Sequence, residues 1–476
     1  MTAPATRDEH ISVLRAAEEE PDRVALVADG RALSYADLAA RAFAAIAWLA
    51  ERGIDAARPG RVAITARSDP ATFALLHALV EIGAPAVLVH PRSTHEERDF
   101  VARDAQADLV VDAAPDLGGL APPRAVPIPA DVRPMALVYT SGTSGRPKGA
   151  VLSRAAFAAA ARASASNLGW RDDDRWLLCM PLAHVGGFSI LVRCLLARAA
   201  VVTTSHARFD PEAIATVLAR DRVTLVSFVP TMLVRLLDAG ATIPDTVRAV
   251  LLGGAAADDR LLDRARALRV PVLTTYGLTE ACAQVTTQRY GTEPGAEHGV
   301  GEPLPGVEVR IVDGEVHVRG PSLMTGYFPI GAHPSPFTDD GWLPTGDLGR
   351  LDDRGRLWID ARRTDLIVTG GENVYPAEVE RVLEGIPGVA AACVFGVPDA
   401  TWGATVAAAV VWSEPSRTVD AVAEAVVAKL APYKRPRWLA DVSTLAFTTS
   451  GKLDRERTKQ IAFPRLRPLL QRAASS

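Results

Sequence analysis

Short apolar runs rich in β-branched residues alternate with amphipathic stretches from Leu33 to about Thr287. The runs fall at 61–65, 86–89, 109–111, 135–139, 200–204, 223–228, 247–252 and 271–275. Runs this short predict strands buried on both faces, and the amphipathic stretches between them predict helices that cover a parallel sheet. From Val307 the period changes. Val307, Val309 and Ile311 alternate with Glu308 and Arg310, Asp313-Gly314 marks a turn, and Val316 and Val318 alternate with Glu315, His317 and Arg319. That is the pattern of a β-hairpin, and it opens a β-rich region, about 300–360, expected to form a small barrel-like subdomain.

A third pattern begins after Arg363. Pro376 stands at a first helical turn, and Val379, Val382, Leu383 and Ile386 share one apolar face. Strands at 389–394 and 405–412 and a helix at 419–429 complete a compact α+β domain. The expected fold is therefore α/β. A large N-terminal domain of helix-covered sheets with its β-rich subdomain (1–363) precedes a small, mobile α+β C-terminal domain (364–476).

Composition narrows the classes of partner. The 476 residues carry 52 Lys and Arg against 56 Asp and Glu, a formal charge of -4 with no long run of one sign, so no nucleic-acid partner is expected. No apolar run reaches membrane-spanning length, and 1–23 lacks the apolar centre of a secretory signal, so no membrane insertion and a cytoplasmic location are expected. The four cysteines, Cys179, Cys194, Cys282 and Cys393, are far apart and show no metal-ligand spacing. Small molecules remain as the expected partners, and a homodimer is compatible with the sequence.

The run at 135–139 leads directly into Thr140-Ser141-Gly142-Thr143-Ser144-Gly145-Arg146-Pro147-Lys148-Gly149. Glycines let backbone N–H groups close on an anion, the hydroxyls donate hydrogen bonds, and Arg146 and Lys148 add positive charge, so the loop has the chemistry of a phosphate cradle. It is not a Walker loop. Five residues after Gly142 stands Pro147, and Lys148 is followed by Gly149 rather than Ser or Thr.

Four further segments stand beside this loop: Tyr276-Gly277-Leu278-Thr279-Glu280, Thr345-Gly346-Asp347, Arg362 ahead of Gly370-Gly371-Glu372-Asn373, and Ser450-Gly451-Lys452. In this order and spacing, from about Leu33 to Arg455, they resemble the adenylate-forming acyl-CoA synthetase superfamily. The resemblance implies an ATP-dependent acid:CoA ligase. A carboxylate would attack the α-phosphate of ATP, pyrophosphate would leave, and a thiol would then displace AMP.

The resemblance also implies roles. The loop, Thr140, Ser141, Gly142, Thr143, Ser144, Gly145 and Lys148 included, would hold the β- and γ-phosphates, Thr279 the α-phosphate, and Glu280 a magnesium ion, a hard cation that prefers oxygen. Tyr276 and Gly253-Gly254-Ala255 would enclose the adenine, with Thr275 and Gly277 in the same ATP-binding set, while Asp347 and Arg362 would read the ribose. Lys452 would neutralise charge in the first half-reaction. The C-terminal domain would rotate about Thr364 between half-reactions. Coenzyme A would meet Gly370 and Gly371, and the cations Lys434 and Arg435. One departure stands near Lys452: Ala446 and Phe447 occupy places where the superfamily usually carries proline and a basic residue.

His184 falls at the family's substrate gate and is included with Lys452, Thr279 and Glu280 among the expected catalytic residues. Gly254 and Thr279 are expected to touch the acid as well as the nucleotide. No acidic residue stands in 180–196 to pair an α-ammonium, which argues against an amino-acid substrate. Arg193, nine residues after His184, sits in an otherwise apolar segment and, if buried there, asks for an anionic partner, which a second substrate carboxylate would supply; an internal ion pair and a solvent-facing side chain are the alternatives. In this stretch the chain most resembles the o-succinylbenzoate-activating branch of the superfamily, which serves menaquinone biosynthesis. Alternatives are another aryl- or acyl-CoA ligase, an adenylating enzyme that loads a carrier protein, and a nucleotide-binding protein without catalysis.

Overall fold

The computed structural model describes residues 11–115, 132–140, 147–204, 209–257, 259–293, 295, 299–362, 365–369, 372–399, 402–413, 419–430, 432–448 and 451–469. The chain divides into two compact units, one of 1–309 with 318–343, the other of 310–317 with 344–476.

The first unit holds two sheets. The larger runs in the spatial order Glu302–Pro303, Thr286–Thr287, Val272–Tyr276, Ala249–Leu252, Leu225–Phe228, Arg175–Leu177, Ala200–Thr203, Val24–Ala28, Arg31–Ser34. From Val272–Tyr276 to Val24–Ala28 every neighbouring pair is parallel, and antiparallel strands finish both edges. The smaller sheet runs Gly326–Tyr327, Lys148–Ser153, Pro134–Thr140, Ala86–Val89, Val62–Thr65, Leu109–Val111. The runs expected to be strands are strands, and most of their residues are buried.

One core joins the two sheets. It takes Ile64, Leu88 and Val138 from the smaller sheet, Trp176, Val201 and Leu251 from the larger, and Phe73, Phe157 and Phe188 from the helices Pro70–Ile82, Arg154–Leu168 and Val185–Ala197. Every residue from Thr72 to Ile82 is buried, so the first of these helices is apolar nearly all round. Even its Glu81 is used internally: the carboxylate accepts from Ser12 Oγ and the Val13 and Leu14 N–H groups, capping the helix Val13–Glu19.

At the amino ends of the larger sheet's strands, Asp174 and Arg248 form a buried bidentate pair, Nε to Oδ1 at 2.8 Å and Nη2 to Oδ2 at 2.6 Å. Burial alone would raise the Asp174 carboxyl, but hydrogen bonds from Arg248, Arg171 N–H and Thr224 more than reverse this and hold it below the usual range. The amino ends are thus fastened internally, and the carboxyl ends carry the candidate chemistry.

The second unit takes in most of a four-stranded sheet in the order Glu308–Val312, Glu315–Arg319, Leu343–Leu351, Leu357–Arg362. Asp313 and Gly314, at φ 48° and 78°, make the expected hairpin turn; two consecutive left-handed residues are what an Asp-Gly pair supplies at low cost. Beyond it lies a sheet in which Val389–Asp399 and Gly403–Trp412 pair antiparallel and Trp438–Asp441 joins parallel to the second of them. The helices Pro376–Glu384 and Val419–Lys429 share its apolar core through Val379, Leu383, Val422 and Val426.

Candidate active site

Strands Pro134–Thr140 and Lys148–Ser153 pair antiparallel with Thr140 opposite Lys148, so the hydroxyl-rich loop is the tip of a hairpin at the carboxyl end of a sheet strand. Ser141, Gly142, Thr143, Ser144, Gly145 and Arg146 lie outside the described residues; Thr140 and Lys148 mark the two stems. Lys148 Nζ stands 5.4 Å from the centre of the Tyr327 ring, on the strand Gly326–Tyr327 that pairs with Lys148–Ser153. The Tyr327 hydroxyl donates to Glu280 Oε1 at 2.8 Å, and the Glu280 carbonyl accepts from Met324 N–H at 2.7 Å. Burial, then the Glu280 charge and hydrogen bond, push the Tyr327 phenol well above its ordinary range, so it remains a donor. Tyr327 thereby approaches both groups, Glu280 through its hydroxyl and Lys148 over its ring.

Glu280 lies in the short 3-10 helix Thr279–Ala281 just beyond the strand Val272–Tyr276. That strand is the parallel neighbour of Ala249–Leu252, so Tyr276-Gly277 and Gly253-Gly254-Ala255 emerge side by side. The contact is close: a Cβ on Gly253 would lie 2.6 Å from the Thr275 carbonyl oxygen, and one on Gly277 would lie 1.4 Å from that of Ala283. Both positions require glycine. The Thr275 hydroxyl is occupied within the sheet, bonded to Thr286 O at 2.8 Å.

His184 holds the N-cap position of the helix Val185–Ala197 without a side-chain capping bond, and the chain turns so tightly that a Cβ on Gly187 would meet Pro181 O at 2.3 Å. The His184 ring lies 5.5 Å, centre to centre, from that of His90, which follows the strand Ala86–Val89. His90 Nδ1 accepts from Arg92 N–H at 2.9 Å. Burial, with Arg92 adding to it, pushes this imidazole down to about 4, so it is neutral at pH 7 with its proton on Nε2. Arg193 is only 3% exposed and stands 5.4 Å from the Trp176 ring. Its Nε and Nη2 have no hydrogen-bond partner among the described residues, and burial pushes the group down to about 10, which still leaves it charged at pH 7. A buried guanidinium in that condition is suited to an anion brought by a ligand.

In the second unit, Asp347 and Arg362 are cross-strand partners, and Asp347 is buried. Thr364, Gly370 and Gly371 lie outside the described residues. Lys434 Nζ grips both oxygens of Glu378 at 2.6 and 2.8 Å, and Arg435 donates to Leu430 O and Val427 O at the end of the helix Val419–Lys429. These two cations are therefore engaged within the unit.

Lys452 stands on the far arm of a tight turn. Thr448 N–H donates to Lys452 O at 2.7 Å, Lys452 N–H donates to Thr448 Oγ1 at 3.2 Å, and Gly451 takes φ 81° between them. Arg455 anchors the chain just beyond, bonding Glu380, Val394 O at 2.6 Å and Asp365 at 3.3 Å. The lysine side chain is exposed.

Magnesium fits this donor set in one way. Among the described residues no group of three or more His, Cys, Asp or Glu gathers to hold a metal, so Glu280, the residue expected to meet magnesium, has no cluster of further ligands around it. That suits an ion held chiefly by nucleotide phosphates and water.

Residues 13–122 and 115–328 match the AMP-binding enzyme family, and 378–452 match the AMP-binding enzyme C-terminal domain. The chain is 34% identical over 472 residues to the 2-succinylbenzoate–CoA ligase of Bacillus cereus, across 93% of this chain and 96% of that one. It is similar, at TM-score 0.86 and 32% identity, to o-succinylbenzoate CoA synthetase from Bacillus subtilis in complex with the acyl-adenylate intermediate, over 94% of this chain and 97% of that one. The same Bacillus enzyme in complex with ATP and magnesium ion matches at TM-score 0.84 and 32% identity, over 94% and 98%.

Proposed function

The chain belongs to the AMP-binding enzyme family, and from that premise we propose that it is an AMP-forming ligase joining 2-succinylbenzoate, also called o-succinylbenzoate, to coenzyme A. The observation that carries the choice of acid is Arg193, a buried cation with two unpartnered N–H-bearing atoms on the helix that begins at His184. This acid has two carboxylates. One is activated, and the other gives the guanidinium the charged partner that burial demands.

In the first half-reaction a carboxylate oxygen attacks the α-phosphorus and the bond to the β-phosphate oxygen breaks, releasing pyrophosphate. Two anions must meet, so the work is positioning and charge stabilisation rather than covalent catalysis. The Thr140–Lys148 hairpin holds the leaving phosphates, Thr279 the α-phosphate, and Tyr276 with Gly253-Gly254-Ala255 the adenine. Asp347 and Arg362 read the ribose, and Lys452 supplies the movable positive charge. Magnesium, held by Glu280, adds Lewis-acid charge on the phosphate oxygens when bound. In the second half-reaction the CoA thiol loses its proton, its sulfur attacks the acyl carbonyl, and AMP departs.

The test is acid-dependent exchange of labelled pyrophosphate into ATP across a panel of acids. Exchange with 2-succinylbenzoate about a hundredfold above that with benzoate, fatty acids or amino acids is the expected outcome. Preference for an acid with a single carboxylate would overturn the assignment.

A further inference from the structure

Tyr327 has no part in the chemistry set out above, yet it stands between two groups that do. Its hydroxyl donates to Glu280 Oε1 at 2.8 Å, and its ring lies 5.4 Å from Lys148 Nζ. The placement is fixed by the backbone: Tyr327 pairs with Ala150, two residues along from Lys148 on the neighbouring strand, and Met324 N–H holds the Glu280 carbonyl. Among the described residues no Lys or Arg forms an ion pair with Glu280, although Lys148 Nζ stands 5.4 Å from the centre of the ring whose hydroxyl bonds that carboxylate.

We infer that Tyr327 is a positioning residue for nucleotide and metal binding, a neutral spacer that orients the Glu280 carboxylate while keeping the Lys148 ammonium from pairing with it. The inference rests on the proposed roles of Glu280 toward magnesium and of Lys148 toward phosphate. A cation that oriented Glu280 would cancel the charge a metal needs, and a carboxylate that held Lys148 would cancel the charge the phosphates need. A phenol avoids both losses. Its hydroxyl fixes one carboxylate oxygen without neutralising it, and its ring face attracts the ammonium without accepting a proton from it.

The inference separates two substitutions. Tyr327→Phe keeps the ring and removes the hydrogen bond; Tyr327→Leu removes both. Binding is read without acid substrate, so no turnover is needed, by titrating manganese into the enzyme–ATP complex and by measuring metal-free ATP affinity. Tyr327→Phe is expected to weaken manganese binding about tenfold, the loss of one charge-assisted hydrogen bond, with metal-free ATP affinity within about twofold of wild type. Tyr327→Leu is expected to weaken metal-free ATP binding as well, because Lys148 then collapses onto Glu280. Unchanged manganese affinity in Tyr327→Phe overturns the inference. Glu280→Gln, run in parallel, distinguishes its failure from that of the reading beneath it. If Glu280→Gln also binds manganese normally, Glu280 is not the ligand and both fall; if only Tyr327→Phe is normal, the spacer alone is wrong.

Discussion

Replacing Lys452 by alanine is expected to lower the rate of acyl-adenylate formation about a thousandfold, while thioester formation from supplied acyl-adenylate stays within about threefold of wild type. The asymmetry follows from where charge develops. In the first half-reaction an anion attacks a phosphate, and a mobile ammonium is worth as much as a preorganised oxyanion donor; in the second the nucleophile is a thiol and the leaving group is AMP. The lysine sits on a turn whose backbone is pinned by Thr448, Gly451 and the Arg455 anchor, so removing its side chain beyond Cβ leaves the scaffold intact. Single-turnover assays of each half-reaction read the two effects separately. Equal loss in both would mean that Lys452 does not act in adenylation alone.

Arg193→Met is expected to lower kcat/KM for 2-succinylbenzoate about a hundredfold, with melting temperature unchanged or raised. Ordinary core arginines behave in the opposite way. Asp174 and Arg248 satisfy each other, and removing either leaves a buried charge alone, whereas Arg193 Nε and Nη2 have no partner among the described residues to strand. The variant should also lose its preference for the dicarboxylate over a monocarboxylate analogue, because the second carboxylate no longer has a cation to meet. Arg193→Lys should recover only part of the activity, since an ammonium replaces charge without the fork. A methionine variant that turns over 2-succinylbenzoate within about threefold of wild type would place Arg193 outside the acid site.

Much of this architecture was legible in the order of residues, for identifiable reasons. Buried strands announce themselves as short apolar runs between polar turns, and the Asp313-Gly314 hairpin carries its own backbone signature. The phosphate loop was legible as chemistry but not as shape; that it closes a hairpin depends on the antiparallel pairing of Thr140 with Lys148. Tyr327 and His90 were missed because an aromatic residue or an imidazole at a strand end has no spacing that sets it apart. Each gains its meaning from partners far along the chain, Glu280 in one case and His184 in the other. Lys434 and Arg435 illustrate the converse. A basic cluster reads as a surface for an anionic ligand, but folding gives these cations Glu378 and the carbonyls of Leu430 and Val427 as partners. Charge is visible in a sequence; what neutralises it is not.

The central claim is that a carboxylate of 2-succinylbenzoate attacks the α-phosphate of ATP before CoA takes the acyl group. It is tested most directly by turnover of 2-succinylbenzoate labelled with oxygen-18 in its carboxylates, with ATP, magnesium and CoA, and mass analysis of the products. The account predicts the 2-succinylbenzoyl-CoA thioester, unlabelled pyrophosphate, and AMP carrying one heavy oxygen from the acid. Unlabelled AMP, or ADP with the label in inorganic phosphate, would contradict it.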